Sequence, residues 1–388
     1  MGHIGSHVDI TSEPHRHQVK VKPLTNIVGC CRASRARPNE NCGASHDVGI
    51  SYFMSMYFFH ENLVNHALEV FKATEFGTAR QGDQFFEIFG PGNIASNPDR
   101  PFERFSDYEE LLVRLMATDR DKYQKMHKGT PLGFMSWLAF DLRNYEKALF
   151  YMDAGISEDV KNFPDRWIAV PGARFLLLNF DPGNPWFGRT ARQVKHLLEQ
   201  QLVRFNGISR QPPLDIDGSW RPFVEKLLVD ATQRTIVSAL YVFLLEFEDR
   251  FQELSLREGS TGGSNQPFTV HLFTGGLLFE SLLKRCYPVN DRGEKNKTLG
   301  NVLNSRSLWS DFGLTKAPET VAQSLTDIHA AIQGSVSVET ALSTAAKLRN
   351  TTGHNLVWDD IFSTPAKYAD LFHQVMNAIL HVISRKLI

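Results

Sequence analysis

The sequence predicts an all-α protein, with N-terminal helical hairpins followed by a C-terminal helical bundle. From residue 51 onward, apolar residues recur at helical spacing, as in Tyr108, Leu111, Leu112 and Leu115. Gly, Pro and Asn residues, which favour turns, separate these segments. We therefore expect amphipathic helices joined by turns along most of the chain.

The composition is that of an ordinary globular protein. The chain has 388 residues, enough for two or three domains, and is 42% hydrophobic and 22% charged with a formal net charge of -1. Because the charge is balanced, any RNA binding must come from a local basic patch. The sequence contains no apolar run of the roughly 18 residues that a membrane span needs. It also lacks a secretory signal at its start, so a cytoplasmic location is expected.

Residues 1–47 are predicted to be a disordered tail, because they show no sustained helical or strand period. Cys30, Cys31, Cys42 and His46 could in principle meet a zinc ion. Their spacing lacks the C-x2-C knuckle typical of zinc sites, so the prediction is that the protein holds no metal and needs no cofactor.

Residues 48–213 are predicted to form helical hairpins. Within them, the segment Met135 to Ile156 resembles one tetratricopeptide unit. The matching residues are Trp137 and Phe140 on a first helix, Asn144 and Tyr145 at the turn, and Ala148 where the two helices would cross. A second clean copy at a 34-residue period is absent from the sequence. The alternative is an irregular helical domain.

Residues 214–388 are predicted to form a bundle of four main helices and a short additional one. The helical pattern stops near Gln211-Pro212-Pro213, which sets the domain boundary. The predicted helices run from Trp220 to Leu256, Phe268 to Tyr287, Pro318 to Gln333, Val338 to Asn350 and Pro365 to Lys386. Gly275 and Gly276, inside the second of these, indicate close helix packing or a kink.

The segment Leu348 to Trp358 reads LRNTTGHNLVW and contains Arg349 followed after four residues by His354. Two other pairs have comparable spacing, Arg120 with His127 and Arg189 with His196, and both are interpreted as solvated helix faces. Gly353 is a poor helix former, so we expect the helix to end or loosen just before His354.

Context distinguishes the Arg349 pair. Asn350 follows the arginine directly, the pair lies on the penultimate predicted helix, and an upstream helix carries Glu280 and Lys284 in an E-x3-K pattern. The combination resembles the E-x3-K and R-x4-6-H motifs of the HEPN superfamily. Members of that family are small helical bundles, commonly dimeric, and many of them cleave RNA.

The resemblance implies a metal-independent endoribonuclease that leaves a 2′,3′-cyclic phosphate. His354 would be the general acid or base, because a histidine pKa lies near neutrality. Arg349 would clamp the phosphate, since its planar fork matches phosphate oxygens. Asn350 would orient the phosphate or the histidine. Lys284 would add positive charge, and Glu280 would hold Lys284 or Arg349 in place.

The expected partners are an RNA substrate, a second copy of the chain, and a protein or small-molecule regulator at the N-terminal domain, in a defence or stress role. One alternative is a non-catalytic adaptor with an inactive HEPN fold. Another is a toxin neutralised by a separate antitoxin. For the motif itself, the alternative is that Arg349 pairs with a carboxylate such as Asp359 while His354 caps the helix. Taken by themselves, Glu280 and Lys284 are expected to form a surface ion pair of small energetic value.

Overall fold

Helices joined by turns make up the described chain. The computed structural model describes residues 61–387 except 98, 182, 185, 229, 258–263, 333–336 and 354–363. In these residues the helices are α1 (61–73), α2 (Ala79–Ile88), α3 (Pro91–Ile94), α4 (Pro101–Thr118), α5 (Arg120–Lys125), α6 (Gly129–Asp141), α7 (Tyr145–Asn162), α8 (Pro171–Leu176), α9 (Gly188–Ile208), α10 (Arg221–Leu228), α11 (Ala231–Arg257), α12 (Gln266–Cys286), α13 (Leu299–Leu303), α14 (Arg306–Phe312), α15 (Leu325–Ile332), α16 (Val338–Thr352) and α17 (Pro365–Lys386).

The β structure of the described residues is a single antiparallel bridge between Val289 and Lys295. The predicted all-α fold is therefore confirmed for this part of the chain. A search of the same residues finds no helix with the length and apolar character needed to cross a bilayer. The predicted tail, residues 1–47, and its cysteines lie outside the described residues.

The segment that resembles a tetratricopeptide unit forms the helical hairpin of α6 and α7, which pack against each other. Asn144 caps α7, because its side-chain oxygen accepts a hydrogen bond of 3.1 Å from the Lys147 backbone N–H. Ala148 is fully buried, and its small side chain lets the two helices approach closely. The hairpin was predicted correctly, while its membership of a repeat stays a prediction.

Four long helices, α11, α12, α16 and α17, pack on one another as the predicted bundle. Phe243, Leu282, Leu348 and Phe372, one from each helix, are fully buried where the helices meet. Burial of one such side chain contributes about 1.5–3 kcal/mol.

This bundle is in direct contact with the preceding helices, since α7 and α9 pack against α11 and α9 also packs against α17. All described residues belong to one compact unit, Phe53–Ile388. The division into domains near residue 213 stays a prediction.

The prediction of a single helix from Trp220 to Leu256 is wrong. A π-helical turn, Ile216–Trp220, precedes α10, and α11 begins only at Ala231. Asp230 lies at the break, and its carboxylate accepts a hydrogen bond of 2.8 Å from the Thr232 backbone N–H. Asp favours such a capping position over a helix interior because its short side chain competes for backbone N–H groups.

The helix predicted from Pro318 to Gln333 is also wrong in its first half. Residues 318–324, which we call the strap, are not helical, and α15 starts at Leu325. Side chains of α16 take up the strap's backbone groups. The Glu319 N–H donates to Ser343 Oγ (3.0 Å), and both the N–H and the carbonyl of Gln323 bond the Thr351 hydroxyl (3.2 Å each). These bonds replace intrahelical ones.

His127 does not lie on a solvated helix face as expected, whereas Arg120, Arg189 and His196 are exposed, as predicted. Its side chain is 2% exposed between α5 and α6, with Nδ1 2.9 Å from Asp83 Oδ1 and Nε2 3.2 Å from Asp159 Oδ1. Burial alone would lower the pKa of His127, but the two aspartates outweigh burial and raise it to about 9. His127 is therefore an imidazolium at neutral pH.

This pKa shift predicts a pH dependence of stability. A folded-state pKa raised above the unfolded value of about 6.5 gives stability that is complete below pH 6.5 and lost as the pH rises through 9. We expect the stability difference between the wild type and His127→Gln to shrink across that window in denaturant titrations. His196→Gln, at an exposed histidine, should show no such trend. A His127→Gln difference that is constant with pH would contradict the assignment.

Candidate functional site

The site predicted from the sequence lies where α12 crosses α16, and Gly276 sets how closely the two helices approach. A Cβ atom added to Gly276 would lie 2.7 Å from Arg349 Cβ and 2.9 Å from Arg349 Cα. Gly275 fills the same role on the other side of α12, because its added Cβ would lie 2.6 Å from Phe243 Cε2 and 2.9 Å from Val375 Cγ1. The glycine pair therefore lets α12 contact three helices at once, as close packing requires.

Glu280 lies one helical turn after Gly276 and is 5% exposed. Its Oε1 accepts a hydrogen bond of 2.6 Å from Lys284 Nζ, and its Oε2 accepts one of 2.6 Å from Arg349 Nε. Burial alone would raise the pKa of Glu280, but the hydrogen bonds and charges of Lys284 and Arg349 outweigh burial and lower it. Glu280 is therefore an ionised carboxylate that fixes two cations.

Arg349 is held from a second direction by its neighbour. Its Nη1 donates a 3.2 Å hydrogen bond to Asn350 Oδ1, and Asn350 Nδ2 donates one of 2.7 Å to the Thr320 carbonyl in the strap. The amide orientation follows from this network, since only one assignment satisfies both contacts. Asn350 thus couples the guanidinium to the strap, and its amide nitrogen already has a protein partner.

Both cations remain accessible to a ligand. The Arg349 side chain is 31% exposed and the Lys284 side chain is 33% exposed. Two of the five guanidinium N–H groups are used by Glu280 and Asn350. The four residues carry two positive charges and one negative charge, so the cluster has a net charge of about +1 at neutral pH. Such a local cationic patch can bind a phosphate even though the whole chain is slightly acidic.

His354, the proposed acid or base, lies outside the described residues, as does Asp359. Helix α16 ends at Thr352 with Gly353 as its C-cap, as predicted. A Cβ added to Gly353 would lie 3.0 Å from the Arg349 carbonyl oxygen and 3.0 Å from Phe273 Cε2. The backbone therefore passes close to Arg349 one residue before His354.

The structure brings together Glu280, Lys284, Arg349 and Asn350. Within the described residues Arg349 pairs with Glu280. The expectation of a surface Glu280–Lys284 pair is wrong, because Glu280 is buried and bonds to a second helix.

Sequence reasoning missed the strap and its anchor, Lys347. This lysine is 6% exposed and pairs with Glu319 Oε2 at 2.6 Å. A signal was present, because the polar residues Ser343, Lys347 and Thr351 recur every four residues and so share one face of α16.

Comparisons with protein-family models, with curated proteins and with solved structures give no match for this chain. In the described residues, no group of three or more His, Cys, Asp or Glu side chains has an arrangement that could hold a metal ion.

Proposed function

We propose that this protein is an endoribonuclease of the HEPN type, acting at the α12–α16 crossing. One observation supports this most strongly. Glu280 and Lys284 lie about 70 residues before Arg349 and Asn350 in the chain, yet the four side chains form one hydrogen-bonded cluster. Its guanidinium and ammonium groups are partly exposed. An arginine fixed by a buried carboxylate is preorganised, so little ordering cost remains when a phosphate binds.

The proposed reaction uses the nucleophile that RNA itself carries. The 2′-oxygen attacks the adjacent phosphorus, a P–O bond forms to it, and the bond from phosphorus to the 5′-oxygen breaks. A base removes the 2′-hydroxyl proton and an acid protonates the departing 5′-oxygen, so no cofactor or water is consumed. His354 is the proposed acid or base. The products are a 2′,3′-cyclic phosphate and a 5′-hydroxyl.

In this scheme Arg349 binds the non-bridging phosphate oxygens and neutralises the charge that builds up at phosphorus. Lys284 contributes a second positive charge. Glu280 is a positioning residue that holds both cations, and Asn350 is a second positioning residue that ties Arg349 to the strap.

The assay that tests this function uses end-labelled single-stranded RNA, the full chain and an excess of EDTA. We expect cleavage that leaves 2′,3′-cyclic phosphate ends. A matched RNA with 2′-deoxyribose at the cleaved positions should stay intact there, because it lacks the nucleophile. Cleavage that needs a divalent cation, or that continues at the deoxy positions, would contradict the mechanism. Absence of cleavage would favour the non-catalytic adaptor.

We propose further that the active species is a homodimer formed around this site. Exposed apolar side chains lie on both elements that hold the site, namely Val270 (41% exposed) and Leu277 (38%) on α12 and Val321 (72%) on the strap. Leu277 directly follows Gly276, which contacts Arg349, and Val321 follows Thr320, which binds Asn350. A two-fold contact through this surface would place two Arg349 side chains on one RNA.

A charge in this surface should disrupt the dimer. We expect Leu277→Asp to shift the protein to a monomer in sedimentation equilibrium, because an unpaired carboxylate would be buried at the interface. Ile88→Asp, at a site on α2 that is 60% exposed, is the matched control and should leave the association unchanged. A wild type that is monomeric throughout, or a dimer that Leu277→Asp does not affect, would contradict this interface.

The N-terminal helices are the proposed regulatory part, by analogy with proteins whose damaging activity must be switched. The contact between α7 and α11 supports this role. A change in the α6–α7 hairpin would be transmitted directly to a helix of the bundle that carries the site.

A further inference from the structure

A second site lies in the N-terminal half, away from Arg349. A cavity of about 260 Å³ opens between α2, α6, α7 and the segments that precede α9. This volume is slightly below the roughly 300–1,000 Å³ of pockets for drug-sized ligands. Four of its lining residues, Gly129, Gly133, Gly155 and Gly172, are glycines, and a Cβ added at Gly133 would meet no atom within 4 Å. The cavity is therefore sized for a small molecule.

The polar lining of this cavity is acidic. Asp83, Glu87 and Asp159 contribute carboxylates, and His127 is the one cationic side chain, since neither lysine nor arginine lines the cavity in the described residues. With His127 as an imidazolium, the lining carries a net charge of about -2 at neutral pH. A cation would be attracted into this space and an anion repelled.

Two carboxylates in the cavity each have one oxygen that receives no hydrogen bond from the described residues. His127 bridges the two aspartates, with Nδ1 2.9 Å from Asp83 Oδ1 and Nε2 3.2 Å from Asp159 Oδ1. Asp83 Oδ1 accepts from Thr130 (2.8 Å) and contacts His127 Nδ1 (2.9 Å). No hydrogen bond reaches Oδ2 of either aspartate from the described residues. These two Oδ2 oxygens can therefore accept hydrogen bonds from the ammonium group of a ligand.

The remaining wall is aromatic. Trp186, 40% exposed, packs edge-on to Phe134 with ring centroids 5.0 Å apart. Phe163 packs edge-on to His127 at 5.5 Å. Aromatic faces beside carboxylates are the combination that binds organic ammonium groups, through cation–π attraction and charged hydrogen bonds.

We infer that this cavity binds a small organic cation, a primary amine on an aromatic or apolar body. The ammonium group lies against Asp83 and Asp159, and the apolar body lies against Phe134 and Trp186. The inference does not depend on the ribonuclease, because it concerns binding alone and involves different residues.

Calorimetric titration of the full chain tests the site with three probes of one skeleton: tryptamine (cationic), tryptophol (neutral) and indole-3-propionate (anionic). We expect saturable binding of tryptamine, weaker binding of tryptophol and none of indole-3-propionate. Indole-3-propionate binding as tightly as tryptamine would overturn the inference, as would no tryptamine binding at about 1 mM, the weak end of specific affinity.

Two variants locate the binding. A Cβ at Gly133 meets no atom within 4 Å, so Gly133→Leu should fold normally and fill the cavity, abolishing tryptamine binding. Asp159→Asn removes one carboxylate charge and should weaken binding by about tenfold, the equivalent of 1.4 kcal/mol. Since Asp159→Asn also leaves His127 with one aspartate, Gly133→Leu is the decisive variant. Unchanged binding in Gly133→Leu would overturn the assignment.

Discussion

Arg349→Ala is expected to lower the rate of RNA cleavage by about 100- to 1,000-fold, the usual effect of removing one preorganised donor to a charged transition state. The guanidinium is fixed by Glu280 and Asn350 and is partly exposed. In the proposed reaction it meets the charge that builds up on the phosphate. The loss should be in the single-turnover rate at saturating protein, because Arg349 acts on the transition state more than on the ground state.

Two companion variants separate this role from a structural one. Arg349→Lys keeps the positive charge but loses the planar guanidinium, which can donate two parallel hydrogen bonds to a phosphate. Its cleavage rate should therefore fall between those of the wild type and Arg349→Ala. Arg120→Ala removes an exposed arginine that also precedes a histidine, His127, within the R-x4-6-H pattern, and should cleave like the wild type. Equal rates in Arg349→Ala and the wild type would exclude Arg349 from the reaction.

Gly276→Ala is expected to lower the free energy of unfolding by about 1–3 kcal/mol, as added atoms do in a tightly packed core. The new Cβ would lie 2.7 Å from Arg349 Cβ and 2.9 Å from Arg349 Cα. The atoms that this Cβ would meet belong to the backbone and Cβ of Arg349, which cannot rotate away as the end of a flexible side chain can. Helices α12 and α16 must therefore move apart. Cleavage should fall as well, because the separation pulls Glu280 from Arg349.

Gly207→Ala is the matched control. Gly207 lies in α9, and a Cβ there meets no atom within 4 Å. Alanine is the better helix former, so this variant should gain about 0.5–1 kcal/mol. Both substitutions replace glycine by alanine within a helix. The difference between their free energies of unfolding in denaturant titrations therefore reports mainly on the contact between α12 and α16. Equal stabilities would mean that α12 and α16 are not in the contact described.

Much of the fold could be predicted from local patterns. Helix α17 begins at Pro365 and ends at Lys386 as expected, because Pro at the first position and a continuous apolar stripe mark its limits. The errors occur where tertiary contacts replace local ones. The strap is not helical because α16 side chains bind its backbone, and nothing in residues 318–324 themselves indicates that.

In the candidate site, too, local contacts could be predicted from the sequence and contacts between helices could not. Helical spacing placed Lys284 next to Glu280, since residues four apart share a face. Spacing alone could not place Glu280 against Arg349, because the crossing of α12 and α16 depends on the whole bundle. Only the resemblance to the HEPN motifs linked the two helices. His127 was missed for a similar reason, as its aspartates come from α2 and α7.

Cleavage of single-stranded RNA in EDTA by four variants tests the central claim most directly. Arg349→Ala and His354→Ala change the proposed site, while Arg189→Ala and His196→Ala change a pair of similar spacing on α9. The account predicts that cleavage is lost in the first two variants and retained in the last two. Cleavage that persists in Arg349→Ala and His354→Ala would contradict it.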